Sequence, residues 1–535
     1  MGMYLNAGNE GFRSVRKGLY VDKSGLISFV NSTLGSSDKL TCVSRPRRFG
    51  KSFAARMLAA YYDRSCDSRE LFVDLAIAKD PEFEKNLNRY DVIYLDITWF
   101  IALAENIRGT VFYLQEKVIE ELCDAYPALA LKDNGLLPEV LAKISNATGQ
   151  KFIIIIDEWD ALFREAKDDE KLQKEYIMLL RGLFKSNQTD KMIEAAYMTG
   201  ILPIKKYGTQ SALTDFREYT MLRPKRLAQY VGFTESEVIG LCNRYGMDFE
   251  EARRWYDGYS FSKVPSVYSP NSVVQAMVNG EYATYWTETE TYESLKRYIG
   301  MNTEGLKDAI ILMLGGGRCK INTRTFQNDI WNIHGKDDVL TLLVHLGYLA
   351  YDPSQNEAYI PNQEVADEFK NAVEYSGWAG ISDALQASEE LLEATLQGNA
   401  EAVAKGIEEV HEANTSILAY NNELALSCVI TIAYYVARKD YTMIRELPAG
   451  KGFADVVFIP RRHTDKPALI VELKWNKSAQ GAISQIKDRR YEGVLDEYAG
   501  NLLLVGINYS EETKKHECMI EKMLVKNCKN KEKFC

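Results

Sequence analysis

A chain of 535 residues is too long for one ordinary hydrophobic core and implies about three or four domains. Its composition, 46% hydrophobic and 26% charged with neither Gly nor Pro in excess, is that of a folded protein and excludes an extended disordered chain. A net charge of −10 excludes a surface coated in positive charge for nucleic acid but allows a local basic site, and residues 441–535 hold 17 Lys+Arg against 13 Asp+Glu.

The nine cysteines are scattered with no C-x-x-C spacing, and the five histidines are dispersed, which argues against a zinc site or a disulfide framework and fits a reducing compartment. The opening MGMYLNAGNEGF has no charged segment followed by an apolar one. The longest apolar run, Leu424 to Ala437, falls short of the ~20 residues a bilayer span needs. A cytoplasmic protein without a membrane partner is expected.

In chain order, residues 39–44 (KLTCVS) read as a short strand entering RPRRFGKSF. After it, Phe53, Met57, Leu58, Tyr61 and Tyr62 fall on one helical face. Residues 92–100 (VIYLDITWF) predict a second strand, followed by helices over roughly 108–126 and 138–148. Four consecutive isoleucines in KFIIIIDEWD, 151–160, predict a strand buried on both faces, as in a parallel sheet covered by helices. A further strand is expected over 192–201. The alternation predicts a doubly wound α/β domain over 1–225.

Residues 226–380 read as mainly helical. The helix and hairpin pattern over 337–361 suits a small winged-helix subdomain. Residues 381–420 read as paired Ala/Glu-rich helices forming a linker. From 421 the texture changes to a buried helix, three strands, a helix and a last strand ending in NLLLVGINY, a separate C-terminal domain over 421–535.

The first candidate site combines Gly50, Lys51 and Ser52, between a strand and a helix, with Asp157 and Glu158 at the end of the isoleucine strand. In a phosphate loop, backbone N–H groups and the helix N-terminus hold the phosphates, the lysine reaches the terminal ones and the hydroxyl serves Mg²⁺. Asp157 is placed to hold Mg²⁺ through water, and Glu158 to orient or deprotonate an attacking water. Arg45 stands where the loop's first glycine belongs, and Pro46 fixes the turn in its place. The nucleotide-binding residues expected are thus Arg45, Pro46, Arg47, Arg48, Phe49, Gly50, Lys51 and Ser52, with Asp157 and, at the end of the neighbouring strand, Thr199. Arg47 and Arg48 suit phosphate, nucleic acid or a neighbouring subunit, or simply an exposed loop. Arg217, Arg223 and Arg226 follow as unranked charge-stabilising candidates.

YVDKSGLI, VSRPRRFGKS, FIIIIDEWDALF, YMTGILPIKKYG, GFTESEV, RWYDGYSF and YSPNSVV together resemble the AAA-ATPase-like family over roughly residues 5–290. The resemblance implies a P-loop ATPase core with a helical lid, ATP as ligand at Lys51 and Ser52, and Mg²⁺ and water roles for Asp157 and Glu158. It also singles out Asp22, Lys23, Trp255, Tyr256, Asp257 and Gly258, whose chemistry the residues alone do not give. The aromatic set Trp255, Tyr256, Tyr259 and Phe261 reads as packing before ligand contact.

The second candidate site lies in ALIVELKW, where alternation puts Glu472 and Lys474 on one face of an otherwise apolar strand. Two charges there are costly unless paired or coordinated. Asp455, in the strand before, can meet Glu472 if the strands pair. Together they would bind a hard divalent cation, Mg²⁺ or Mn²⁺, with Lys474 positioning or activating water against a phosphodiester. The plain alternative is a buried Glu–Lys pair. The pattern over about 423–510 resembles the PD-(D/E)xK nuclease superfamily: Asp455 matches the first acid, Glu472-Leu473-Lys474 the E-x-K, and Gln485 a glutamine found in many members, with Glu423 a weaker candidate acid. Ala454 stands in place of the motif's proline. Lys451, Lys477, Lys487, Arg489 and Arg490 add basic charge nearby, which suits phosphate contact or a solvated face.

The sequence therefore predicts an α/β protein with a P-loop ATPase core, a helical lid with winged-helix character, and a C-terminal restriction-endonuclease-like domain. The expected catalytic residues are Glu158, Asp455, Glu472, Lys474 and Gln485. Ser52, Asp157, Asp455 and Glu472 are the expected metal ligands. The expected partners are DNA ahead of RNA and a homo-oligomer. A nucleotide-dependent switch that binds without cutting is the competing reading.

Overall fold

The computed structural model describes residues 2–131, 135–204, 213–261, 264–286, 291–301, 303–314, 316–326, 333–375, 379–413, 429–430, 433–449, 452–460, 466–488 and 501–523. The chain divides into two compact units, residues 1–291 with 320–367, and residues 292–319 with 368–535.

The first unit is built on a parallel sheet. Its elements in chain order are β1 (Leu40–Ser44), α1 (Lys51–Tyr62), β2 (Asp91–Asp96), α2 (Ile97–Leu103), α3 (Thr110–Ala125), α4 (Leu137–Thr148), β3 (Phe152–Asp157), α5 (Glu170–Phe184), β4 (Ile193–Gly200) and β5 (Arg217–Tyr219). The spatial order is β2-β3-β4-β1-β5, with every pairing parallel. β3 is buried along its whole length, as its isoleucine run requires. The core joins it to α3, α4 and α5 through Leu114, Val118, Leu141, Ile144, Leu180 and Leu183.

One expected strand is shorter than its sequence suggested. β2 ends at Asp96, whose carboxylate accepts the N–H groups of Thr98 and Trp99 and so caps α2. The apolar 97–100 segment therefore turns helical even though its β-branched and aromatic residues favour a strand.

Beyond β5 the unit continues with β6 (Phe233–Thr234), α6 (Glu235–Tyr245), α7 (Phe249–Tyr256), β7 (Tyr259–Phe261), β8 (Val264–Tyr268) and α8 (Pro270–Asn279). A complete capping box, Thr234 with Glu237, starts α6. Later come α9 (Lys336–Leu346) and the antiparallel hairpin β9 (Ala350–Asp352) and β10 (Glu357–Tyr359).

The second unit contains α10 (Leu306–Leu314), α11 (Ala379–Leu396), α12 (Ala400–Ala413), β11 (Tyr441–Ala449), β12 (Gly452–Pro460), β13 (Ala468–Trp475), α13 (Ala479–Asp488), β14 (Leu502–Ser510) and β15 (Lys515–Met523). The sheet runs β11-β12-β13-β14-β15, parallel only between β13 and β14. α12, one of the expected linker helices, packs against α11 and against the edge strand β15. β15 lies beyond the last expected strand.

Candidate functional site

The loop from Arg45 to Gly50 leaves the C-terminal end of β1 and opens α1. Arg48 and Gly50 both adopt left-handed backbone conformations, φ 64° and 87°, and Gly50 is the residue before the helix. Such turns aim successive N–H groups inward, the geometry that gathers an anion. Lys51, 4% exposed, folds its Nζ onto the Pro46 carbonyl at 2.9 Å and lies 3.5 Å from Glu158 Oε1.

β4 sits between β1 and β3, which brings Thr199 beside the acidic pair. The Thr199 hydroxyl donates to Asp157 Oδ1, the Tyr94 hydroxyl donates to Oδ2 at 3.1 Å, and Ser52 bonds the same carboxyl. Burial raises the Asp157 pKa above the ordinary carboxylate value, and the bonds from Thr199 and Ser52 only partly oppose this. Burial acts on Glu158 in the same direction, but Lys51, Arg164 and Arg47 outweigh it and hold its pKa below the usual value. Arg164 donates to Glu158 Oε2 at 2.5 Å and lies 3.4 Å from Asp160. Asp160 in turn accepts the N–H groups of Ile201 and Leu202.

A cleft of about 760 Å³ opens on this arrangement, lined by Arg47, Arg48, Phe49, Gly50, Lys51, Ser52, Glu158 and Arg164 among others. This is the volume of a small-molecule site.

Arg45 does not line the cleft as expected. Its side chain is fully buried, with Nη1 bonded to the Ser44 and Tyr219 carbonyls and the guanidinium stacked over Phe261. Burial lowers its pKa to about 10, which leaves it charged at neutral pH. Pro46 packs against Gly347, and Phe49 is buried edge-on to Tyr259, so both anchor the loop. Arg217 pairs with Asp38 and does not line the cleft.

Of the residues singled out by resemblance, Lys23 lines the cleft, and Asp22, Lys23, Tyr256, Asp257 and Gly258 make close contacts within the chain. Asp22 accepts the N–H groups of Ser24 and Ala76, and Lys23 bonds Glu237 at 2.6 Å and the Gln229 carbonyl at 2.9 Å. Gly258, at φ 117°, lies so close to Pro361 that an added Cβ would stand 2.0 Å from its carbonyl oxygen. Asn362 donates to the Asp257 carbonyl, and the Tyr256 hydroxyl donates to that of Ala283.

In the second unit, Val456 pairs with Val471 in antiparallel register, which puts Asp455 beside Glu472 one step along. Asp455 Oδ2 accepts the Leu473 N–H at 2.7 Å. Lys474 Nζ lies 3.1 Å from Glu472 Oε1, and Gln485 donates to the same oxygen. Glu472 and Lys474 are 1% and 7% exposed, so these charges are held away from bulk water, where electrostatic interactions are strong. α13 brings Gln485 in by packing closely on Gly506, where an added Cβ would meet the Ala479 carbonyl oxygen at 2.5 Å. Two adjacent carboxylates with an ammonium suit a hard divalent cation that keeps several water ligands. Among the described residues no group of three or more His, Cys, Asp or Glu is placed to hold a metal.

Lys487 pairs with Glu521. Glu423, Lys451, Arg489 and Arg490 lie outside the described residues.

Sequence reasoning missed Tyr94, Arg164 and Asn508. The four-residue spacing of Asp160 and Arg164 is a helical ion-pair signal that could have found the second. Asn508 is buried beside Lys474 in parallel register and accepts the Lys477 N–H. A polar residue in LLLVGINY was the available sign.

A Gly-Lys-Ser loop between β1 and α1, with an acidic strand end two strands away in the same parallel sheet, defines a P-loop ATPase core. The family model described as a predicted AAA-ATPase matches residues 7–209, and that of the PD-(D/E)XK nuclease superfamily matches residues 422–518. The chain thus carries an AAA-ATPase-like domain and, towards its C-terminus, a PD-(D/E)XK nuclease superfamily domain. An uncharacterized protein in the vnfD 5′ region of Azotobacter chroococcum mcd 1 is 24% identical over 294 residues, 54% of each chain, so the chain spans about half the length of this curated relative. A solved structure of the Aeropyrum pernix ORC2 protein, in ADPNP–ADP complexes, aligns with 67% of this chain and 96% of its own at 12% identity, with a TM-score of 0.30.

Proposed function

We propose that the protein binds and hydrolyses ATP with Mg²⁺ at the Lys51 cleft, and that this cycle controls a metal-dependent nuclease-like site at Asp455, Glu472 and Lys474. The substrate is DNA in preference to RNA, the compartment the cytoplasm and the working form a homo-oligomer. The division of labour follows an ATPase core over 1–225, a lid with winged-helix character over 226–380, a helical segment over 381–420 and the nuclease-like domain over 421–535.

The observation that carries this reading is the convergence of Asp455, Glu472, Lys474 and Gln485 at one point of a buried sheet. A bound Mg²⁺ or Mn²⁺ would supply Lewis-acid stabilisation of a phosphodiester there. Asp455 and Glu472 would hold it, Lys474 would stand beside the attacked phosphate, and Gln485 would fix the Glu472 carboxylate. In the first unit Ser52 and Asp157 would hold Mg²⁺, Lys51 would exchange its Pro46 and Glu158 contacts for phosphate oxygens, and Glu158 would orient the attacking water.

Incubation of plasmid and short duplexes with Mg²⁺ or Mn²⁺, with and without ATP, tests the proposal. Cleavage that disappears in Asp455→Ala and Lys474→Ala supports it. ATP-dependent binding without cleavage supports the second reading, a nucleotide-gated binding protein. That reading draws on the involvement of both Lys474 and Gln485 with the same Glu472 oxygen.

A further inference from the structure

A second concavity, of about 580 Å³, opens in the first unit and shares no lining residue with the Lys51 cleft. It lies between the segment 320–324, the start of α9 and the turn that joins β9 to β10. Lys320, Asn322, Thr323, Arg324, Gln355 and Asn356 line it, with Asp337 and the buried Ile321.

Hydrogen bonds hold this frame in place. The Ile321 N–H donates to the Asn356 carbonyl at 2.9 Å, which ties the segment to the hairpin turn. The Asn322 N–H donates to Asp337 Oδ2 at 3.0 Å, and the Arg324 N–H to Asn322 Oδ1 at 3.2 Å. Asp337 is thereby engaged, with Lys336 Nζ 4.0 Å from its other oxygen. Asp352, at the base of the turn, accepts the N–H and the hydroxyl of Ser354. Lys320 and Arg324 thus face one partly neutralised carboxylate across the groove. Among the described residues the Arg324 side chain makes no ion pair or hydrogen bond. The Tyr351 hydroxyl donates to Asn356 Oδ1 at 2.9 Å, which leaves that carboxamide its NH₂ as a donor.

Lys320, Asn322, Arg324, Gln355 and Asn356 are all exposed, so the groove is open along its length. A small molecule is normally enclosed over most of its surface. An open floor of cations, carboxamides and a hydroxyl suits a polymer instead, and these are the side chains that meet the phosphates and sugars of a duplex. A helix that reads base edges needs an exposed face to lay in the major groove. α9 has none, since every residue from Asp338 to His345 is buried. Contact here falls to the hairpin turn and the 320–324 segment, which reach the backbone and not the bases.

We propose that this groove seats the phosphodiester backbone of duplex DNA without reading its sequence. Lys320 and Arg324 each meet a phosphate, and Asn322, Gln355 and Asn356 bond neighbouring backbone oxygens. The inference rests on the DNA reading of the proposed function and adds to it the place where the duplex is held.

Fluorescence anisotropy of labelled duplexes with the full chain, in EDTA so that no metal-dependent cleavage occurs, tests it. Two DNA duplexes of unrelated sequence are titrated over a range of salt concentrations. The wild-type protein should bind both alike, and more weakly as salt rises. Lys320→Gln/Arg324→Gln should bind both at least about tenfold more weakly at low salt and should flatten the slope of log affinity against log salt by about 2. Arg324→Gln alone alters one exposed side chain, should flatten the slope by about 1, and keeps the test open if the double variant folds poorly. Affinity and slope unchanged in both variants would overturn the groove assignment and leave the DNA reading standing. A loss confined to one sequence, or displacement of the duplex by inorganic tripolyphosphate at equal phosphate concentration, would do the same. Wild-type protein that binds neither duplex, or binds a matched RNA duplex more tightly, would overturn the DNA reading and this inference together.

Discussion

At the scale of single residues, the two sites handle charge differently. Lys51 and Glu158 are held by partners that a ligand can replace, a loop carbonyl and an ion pair. Lys51→Ala should weaken ATP binding by at least about tenfold in equilibrium titration, because it removes the buried ammonium that meets the loop carbonyl and Glu158. Glu158→Gln should keep ATP bound while reducing hydrolysis by about two orders of magnitude or more, as expected for loss of the group that directs the attacking water. Wild-type turnover in that variant would remove Glu158 from its role. Arg45 shows why a loop arginine cannot be assigned from its position alone. The sequence places it in a basic run beside a phosphate loop, but β5 supplies a carbonyl and β7 an aromatic face behind the loop, and the side chain turns inward to them.

At the scale of elements, close backbone approaches fix where functional groups stand. Gly506→Ala should destabilise the C-terminal sheet by about 1–3 kcal/mol in chemical denaturation, because α13 must move away from β14. The same shift would draw Gln485 from Glu472.

The imidazoles of His411, on α12, and His516, on β15, lie 5.3 Å apart, and burial lowers the pKa of each to about 4, with His411 adding to the effect on His516. Unfolded histidines titrate near 6.5, so between about 6.5 and 4 the unfolded state binds more protons. Stability should therefore fall as pH drops through that window and level off below it. Urea denaturation at several pH values checks this, and His516→Gln should flatten the dependence.

Elements that bury a strong apolar pattern were legible from sequence: β3 from its isoleucines and β13 from ALIVELKW. α1 was expected to bury one face, yet it is buried on most sides while Phe53, placed on that face, is exposed. The α2 boundary was not legible, because Asp96 acts as a cap only once the chain has turned. Nor was β15, a sheet-edge strand whose alternating Lys515, Glu517 and His516, Cys518 look like a charged tail until β14 pairs with it.

At the scale of the whole molecule, one chain carries a nucleotide cleft in its first compact unit and a carboxylate–lysine site in its second. Among the described residues no helix is long and apolar enough to cross a membrane. The candidate residues stood out in the sequence because they follow or interrupt apolar runs, Asp157 at the end of β3, Asp455 and Glu472 within β12 and β13. Of the supporting groups, Arg164 and Asn508 left local signs, whereas Tyr94 gains its meaning only from Asp157, distant in sequence. The proposed function couples ATP at the first unit to cleavage at the second. It is tested most directly by measuring cleavage of duplex DNA in Mg²⁺ or Mn²⁺ by the wild-type, Lys474→Ala and Lys51→Ala proteins, each with and without ATP. Cleavage by the wild-type protein should change with ATP, Lys474→Ala should not cleave, and Lys51→Ala should be insensitive to ATP. Cleavage that persists in Lys474→Ala, or that responds to ATP equally in Lys51→Ala and wild type, would contradict it.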